Sequence, residues 1–281
     1  MTTNDKPKYP TKMRDAGLSV RARKSLGQNF LMHRATAERI ADAARLSSGD
    51  TVFEIGPGTG MLTRALLSRA GKVIAVEADA ALVEELKRTF AAEIAAGKLV
   101  LVHGDVRTFD FGSLPERYAV AANIPYYLTG ELMRLLLSGA HKPESMTLLV
   151  QKEVAERIAR EKKESLLSLS VKAYGTPKYE FTVPRGAFVP APKVDSAVLS
   201  IRDISAGAFR DAEAETRYFA LLHAGFAHKR KLLAKNLEAA AAKETVAAAF
   251  GALRIPELAR AEDLPLAKWL ALPAAMHTKE R

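Results

Sequence analysis

Asn123, Ile124, Pro125 and Tyr126 bring together residue types that packing alone does not ask for. An amide, a proline and an aromatic follow a run of small apolar residues, Tyr118 to Ala122, that reads as the end of a buried strand. At the carboxyl end of a strand such a group can grip a flat, hydrogen-bonding ring. The amide oxygen accepts from an exocyclic amine, and the tyrosine stacks on the ring face. Taken alone, the same residues also read as a turn, with an Asn ahead of Ile-Pro. A reactive second substrate, delivered to the same end of the sheet, is what would favour the first reading.

Glu54-Ile-Gly56-Pro-Gly58-Thr-Gly60 supplies a place for one. It sits at a strand-to-helix turn, where a nucleotide-like ligand meets backbone N–H groups and a helix start. The spacing is G-x-G-x-G, and an acidic residue precedes it inside the strand. Glu77 closes the next strand, 17 residues after Gly60. A carboxylate there suits the two ribose hydroxyls of an adenosine. Asp105 follows the third strand, in His103-Gly-Asp-Val106, and can accept from an adenine amine. Each piece has a plain structural alternative, since glycine turns are often only turns and a strand-end Asp is often a helix cap. The ordered set, with Asn123-Ile-Pro-Tyr126 on the fourth strand, resembles the S-adenosylmethionine-dependent methyltransferase pattern. Asn/Asp-Pro-Pro-aromatic is the related device in enzymes that methylate amino groups on bases. A nicotinamide dehydrogenase would share the topology, but it would want the G-x-G-x-x-G spacing and a hydride-handling residue, for which there is no candidate.

The elements that must position these residues can be read in outline. Helical spacing runs from His33 to Leu46 and stops at Ser47-Ser-Gly-Asp50. Strands are expected at Thr51–Ile55, Lys72–Glu77, Lys98–His103, 118–122 and Ser145–Val150, with helices over Met61–Arg69, from an Asp79 N-cap through Phe90, and over Leu128–Leu137. Short apolar strands alternating with helices indicate an α/β, doubly wound sheet with buried parallel strands, and the methyltransferase resemblance implies that it is of the Rossmann-like, class I methyltransferase kind. Leu166–Tyr174, Lys178–Val183 and Ser196–Ile201 read as further strands forming an antiparallel edge. Asp203-Ile-Ser-Ala-Gly207 reads as a linker. From Asp211 onward the pattern is all helix, with breaks at Gly251 and Pro256. The expected organisation is a flexible basic arm at 1–20, a methyltransferase domain at 21–205 and a small helical RNA-binding domain at 206–281.

Charge points to the partner. The 281 residues carry a formal net charge of +10. Residues 1–27 hold seven Lys/Arg against two Asp, whereas 28–204 are nearly balanced at 23 against 21. Residues 205–281 hold 12 against 9, with Lys229, Arg230, Lys231 and Lys235 clustered. Basic ends around a neutral middle suit a polyanion, although a solvated lysine surface has the same composition. Mean hydropathy near zero and the lack of an 18-residue apolar run leave no membrane span expected. No secretory signal is read near the start, and the absence of cysteine excludes disulfides and thiolate chemistry and fits a reducing, cytoplasmic setting. His223 and His228 have no accompanying ligand cluster, so no metal is expected.

Further motifs narrow the pattern. Lys24-Ser-Leu-Gly-Gln-Asn-Phe-Leu31, the EIGPG turn, Asn123-Ile-Pro-Tyr126, Gln151-Lys-Glu-Val-Ala-Glu-Arg157, Phe188-Val-Pro-Ala-Pro-Lys-Val-Asp-Ser-Ala-Val198 and Gly225-Phe-Ala-His-Lys-Arg-Lys-Leu-Leu233 occur in order. Together they resemble the ribosomal RNA adenine N6,N6-dimethyltransferase family, in its KsgA-like housekeeping branch, from about Arg21 to Leu272. The resemblance implies S-adenosylmethionine contacts at Asn29, Leu31, Gly56, Gly58, Glu77, Asp105 and Asn123. It implies a catalytic mouth of Asn123, Ile124, Pro125 and Tyr126, with Tyr127 the weaker stacking candidate because Pro125 fixes the turn just ahead of Tyr126. Arg21, Arg23, Lys24, Lys229, Arg230, Lys231 and Lys235 are the expected RNA contacts. The implied reaction is dimethylation of two adjacent adenosines in the 3′-terminal hairpin loop of small-subunit (16S) ribosomal RNA, within a pre-ribosomal particle, by a monomer. A large-subunit enzyme of the antibiotic-resistance type and a non-catalytic ribosome assembly factor remain the alternatives. One departure from the family pattern is Glu164-Ser165 where relatives often show Tyr-Gly.

Overall fold

The structure is a computed structural model that describes residues 27–276; the arm at 1–20 and the expected RNA contacts Arg21, Arg23 and Lys24 lie outside the described residues. The chain divides into two compact units. The first is the chain through Ala155 together with Lys178–Ile204; the second is Glu156–Pro177 together with the chain from Ser205. The sequence reading expected one cut after residue 205. The chain in fact crosses between the units earlier as well, and Glu156–Pro177 groups with the C-terminal helices.

A seven-stranded sheet forms the first unit. Its strands are β2 (Thr51–Ile55), β3 (Lys72–Glu77), β4 (Leu99–His103), β5 (Ala119–Asn123), β6 (Ser145–Gln151), β7 (Thr176–Val183) and β9 (Ser196–Arg202). Their order is β4-β3-β2-β5-β6-β9-β7. The first five neighbours run parallel, and β9 runs antiparallel to β6. Val52, Phe53, Val73, Ala75, Val120, Ala121, Leu148 and Leu149 are all buried. Such continuous burial follows from helices covering both faces, which is what parallel strands require. The covering helices include α1 (Arg34–Ala43), α2 (Met61–Leu67), α3 (Ala80–Thr89), α4 (Ala91–Ala95) and α5 (Thr129–Ser138). Asp79 caps α3 as expected, its carboxylate accepting from the Ala81 N–H at 3.0 Å.

The chain builds outward from β2 through β3 to β4, then returns to place β5 on the other side of β2. The order therefore reverses between β2 and β5, and the crevice at their carboxyl ends is where such sheets receive ligands. A second, two-stranded sheet stands near this crevice: β1 (Phe30–Leu31) pairs antiparallel with β8 (Phe188–Val189). Two-residue strands carry no readable period, and neither was expected.

Two expectations need correction in the second unit. Leu166–Tyr174, whose alternation fits a strand, instead forms helix α7 (Leu166–Lys172). Leu166, Leu167, Leu169 and Val171 fit alternation and helical spacing almost equally. The decision is local: Ser165 caps the helix, accepting from the Ser168 N–H at 3.0 Å while Ser168 Oγ accepts from the Ser165 N–H at 2.7 Å. Glu164, the departure from the family pattern, accepts from Lys172 Nζ at 2.7 and 2.9 Å on the same helix. The helix α6 (Lys152–Ala159) leads into this segment. The second correction concerns Gly251, which does not break a helix; α10 (Lys243–Leu253) runs through it at an exposed position. The helix ends at Arg254, in the left-handed region at φ 50, just ahead of Ile255-Pro256. With α8 (Ala212–Phe226), α9 (Leu233–Leu237) and α11 (Leu266–Ala275) these helices enclose Trp269, fully buried beside Leu222, Leu233 and Leu237. Its indole N–H donates to the Ala261 carbonyl at 3.3 Å.

Candidate active site

The turn after β2 is shaped by its glycines. Gly56, Gly58 and Gly60 all have positive φ, at 66°, 58° and 78°. At Gly58 this matters twice, since a Cβ there would also lie 3.0 Å from the Phe30 ring. The turn is tied to β3 through Glu77. One Glu77 oxygen accepts from the Gly58 N–H at 3.1 Å and the other from the Asp79 N–H at 2.9 Å. Burial raises the Glu77 carboxyl above its ordinary range, and those two backbone donors oppose the rise. Glu77 is 5% exposed, at the end of its strand, as a ribose-binding carboxylate would need to be.

At the end of β5, Asn123 turns its amide toward the segment before β1. Its Nδ2 donates to the Asn29 carbonyl at 2.9 Å. A carbonyl only accepts, so this contact fixes which amide atom faces it and leaves Oδ1 as an acceptor at the cavity. The Ile124 N–H donates to the Leu149 carbonyl on β6 at 3.2 Å, and the Leu128 N–H to the Pro125 carbonyl at 2.9 Å. Tyr126 opens a 3₁₀ turn, Tyr126–Leu128, that leads into α5. It is half-buried, with its hydroxyl bonded to Ser196 Oγ at 2.8 Å. Burial raises its phenol above the usual value, so the hydroxyl stays protonated at neutral pH.

All seven residues expected to hold the donor and all four of the expected mouth line one cavity at the sheet's carboxyl edge. Asn29 and Leu31 reach it through the β1–β8 pair, and Phe188 on β8 supplies a further aromatic wall. Asp105 caps the 3₁₀ turn Val106–Thr108 by accepting from the Arg107 N–H at 2.9 Å. It also accepts a two-pronged ion pair from the Arg107 guanidinium, at 3.0 Å from Nε and 2.5 Å from Nη2. That guanidinium holds the Asp105 carboxyl below its ordinary range. An adenine amine at Asp105 must therefore share the carboxylate with Arg107.

Sequence reasoning gave Glu54 no role. It is 1% exposed on β2, lines the cavity, and neither carboxyl oxygen has a hydrogen-bond partner. Burial, with the Glu77 charge adding, pushes its pKa up to about 8. The Thr63 hydroxyl would lower it but stands outside hydrogen-bond geometry, as both groups lack a partner. A buried, unpartnered carboxyl against a ligand cavity fits a ligand that carries positive charge.

The basic cluster is divided between a turn and a helix. Lys229, Arg230 and Lys231 lie exposed in the turn between α8 and α9. Lys235 stands on α9 and is paired with Glu238 at 3.1 Å. Among the described residues no group of His, Asp or Glu is arranged to hold a metal, and no helix is long and apolar enough to cross a membrane.

Comparison with known proteins adds the lineage. Residues 19–276 match the family model described as ribosomal RNA adenine dimethylase. A ribosomal RNA small subunit methyltransferase A from Dehalococcoides mccartyi is 40% identical over 262 residues, covering 91% of this chain and 89% of its own. The protein of the same description from Synechocystis is 35% identical, covering 93% and 98%. Among solved structures, a dimethyladenosine transferase from Plasmodium falciparum superposes with TM-score 0.74 at 26% identity, over 86% of this chain and 95% of that one. The 23S rRNA methyltransferase ErmE superposes with TM-score 0.72 at 27% identity, over 89% and 100%. By the family match across most of its length and by relatives this similar, the chain belongs to the ribosomal RNA adenine dimethylase family.

Proposed function

We propose that this chain dimethylates N6 of two adjacent adenosines in small-subunit ribosomal RNA, with S-adenosylmethionine as donor, during small-subunit assembly in the cytoplasm. The observation that carries the reading is the fixed amide of Asn123, its oxygen left as an acceptor where the glycine turn and the carboxylates meet. The small-subunit assignment is favoured by the relatives at 35–40% identity, against 27% for the large-subunit enzyme.

The residues present fit the donor, because Glu54 offers an uncompensated carboxyl, Glu77 a strand-end carboxylate and residues 56–59 a glycine-rich turn that lines the cavity. When bound, the donor supplies a methyl group already activated on a sulfonium. What remains for the protein is to hold and aim the amine. Adenine N6 is a poor nucleophile because its lone pair is conjugated with the ring. Hydrogen bonds from N6–H to Asn123 Oδ1 and to the Ile124 carbonyl draw the nitrogen toward a pyramidal shape and direct its lone pair. Pro125 fixes the spacing of those two acceptors, and Tyr126, tethered by Ser196, stacks on the extruded base. No general base is needed beforehand, since the alkylated ammonium is acidic and loses its proton readily. Lys229, Arg230 and Lys231 provide phosphate contacts, so affinity for the RNA falls steeply with salt.

Asn123→Ala tests the chemistry. We expect turnover to fall by about a hundredfold or more, with donor binding still measurable by calorimetry at a modest loss from the broken Asn29 contact. Turnover near the wild-type rate would rule out this role for the amide.

A further inference from the structure

Tyr127 is exposed on 61% of its surface, and among the described residues no other Phe, Tyr or Trp is exposed. It directly follows Tyr126 in the 3₁₀ turn and lines the same cavity. One side of its ring rests on Gly27. A Cβ on that glycine would lie 2.9 Å from Cε1 and 3.1 Å from Cδ1 of the ring, and Gly27 has φ 58°. The segment leading into β1 can approach Tyr127 only because residue 27 has no side chain. The Cδ1–Cε1 edge of the ring is thereby supported, while most of the residue stays exposed. Arg107 lines the cavity as well, and its side chain is 52% exposed. The two-pronged contact with Asp105 holds its guanidinium as a fixed plane, and a fixed guanidinium plane is a surface on which a ring can stack.

Tyr126 is committed to the interior by its bond to Ser196, whereas Tyr127 faces outward at the rim. An enzyme that extrudes a base for reaction leaves the neighbouring base without its stacking partner. We infer that Tyr127, together with the Arg107 plane, is a stacking platform for the nucleotide adjoining the target adenosine in single-stranded RNA. This inference rests on the proposed function and extends it from the reacting base to its neighbour. The platform reads no sequence, because every base has a face to stack; it sets where the strand lies. It also gives the next adenosine of an adjacent pair a defined waiting position outside the mouth.

The test uses full-length protein, labelled S-adenosylmethionine and small-subunit particles lacking the modification. Tyr127→Leu keeps an apolar group over Gly27 but removes the aromatic face; Tyr127→Phe restores the face. We expect Tyr127→Leu to raise KM for the particle about tenfold, and Tyr127→Phe to stay within about twofold of wild type. Donor affinity by calorimetry should be unchanged in both. With the wild-type protein, 2-aminopurine placed beside the target in an RNA hairpin should lose fluorescence on binding, as stacked 2-aminopurine does. An unchanged KM in Tyr127→Leu, or unquenched 2-aminopurine, overturns the inference. So does a donor affinity that weakens as much as KM rises, which would assign Tyr127 to packing on Gly27 alone. A wild-type protein that leaves the particle unlabelled overturns the proposed function itself, and this inference with it. A labelling wild type beside an unaltered Tyr127→Leu overturns the inference alone.

Discussion

Glu54 titrates between its unfolded and folded values, and the sign of its effect on stability follows. In the unfolded chain its carboxyl loses its proton near 4.5, and in the folded protein near 8. Between those values the folded state holds a proton that the unfolded state has released. Raising the pH through this window therefore destabilises the fold, and the penalty is complete above about 8. Glu54→Gln keeps the shape without the titration. Thermal melts of variant and wild type should coincide below about pH 4.5 and separate, in the variant's favour, as the pH rises toward 8. Parallel curves would mean that Glu54 is ionised in the fold. Residue types at the site were largely legible in the sequence, because Asn123, Glu77 and the glycines stand at strand ends where their chemistry has a purpose. Their partners were not. The Asn29 carbonyl that orients Asn123 is 94 positions away in the chain, and the Asp105–Arg107 pair depends on a local 3₁₀ turn. Glu54 stands out in the sequence only as the acid ahead of the glycine turn; its lack of a partner is visible only in the fold.

At the level of elements, the parallel strands were readable because burial on both faces demands uninterrupted apolar runs, and those runs are short and bounded by turn residues. Segment 166–174 reads as a strand but folds as a helix because Leu and Val at alternating positions satisfy a strand while the same residues also fill one face of a short helix. A capping box decided the outcome, and it is the interaction to remove. Ser165→Ala takes away the acceptor for the Ser168 N–H at the start of α7. The expected loss is about 1 kcal/mol, seen as a fall of roughly 2–4 °C in melting temperature. Donor affinity should not change, since the cavity is lined by residues of the other compact unit. No loss of stability would show that α7 is held by its buried Leu169 and Val171 rather than by its cap. The β1–β8 pair illustrates a limit of another kind: two residues are too few for any period, and the pairing joins positions 159 residues apart, Phe30 with Val189. Yet this pair carries Asn29 and Leu31 to the cavity.

For the molecule as a whole, charge distribution and motif order pointed to RNA and to a methyl donor, and the fold brings the expected donor-binding and mouth residues to one crevice. The two-unit division was legible near residue 205, where a linker-like composition precedes an all-helical segment. The inclusion of Glu156–Pro177 in the second unit was not, because its 166–174 stretch also fits one more strand of the sheet. Whether the surplus of +10 is used on ribosomal RNA is a property of the whole protein acting on a whole particle. The most direct measurement incubates the protein with labelled S-adenosylmethionine and separated small-subunit and large-subunit particles that lack the modification, then maps the labelled nucleotides by mass spectrometry. The account predicts label in the small subunit alone, as N6,N6-dimethyladenosine at two adjacent positions. Label confined to the large subunit, or donor binding without transfer to either particle, would contradict it.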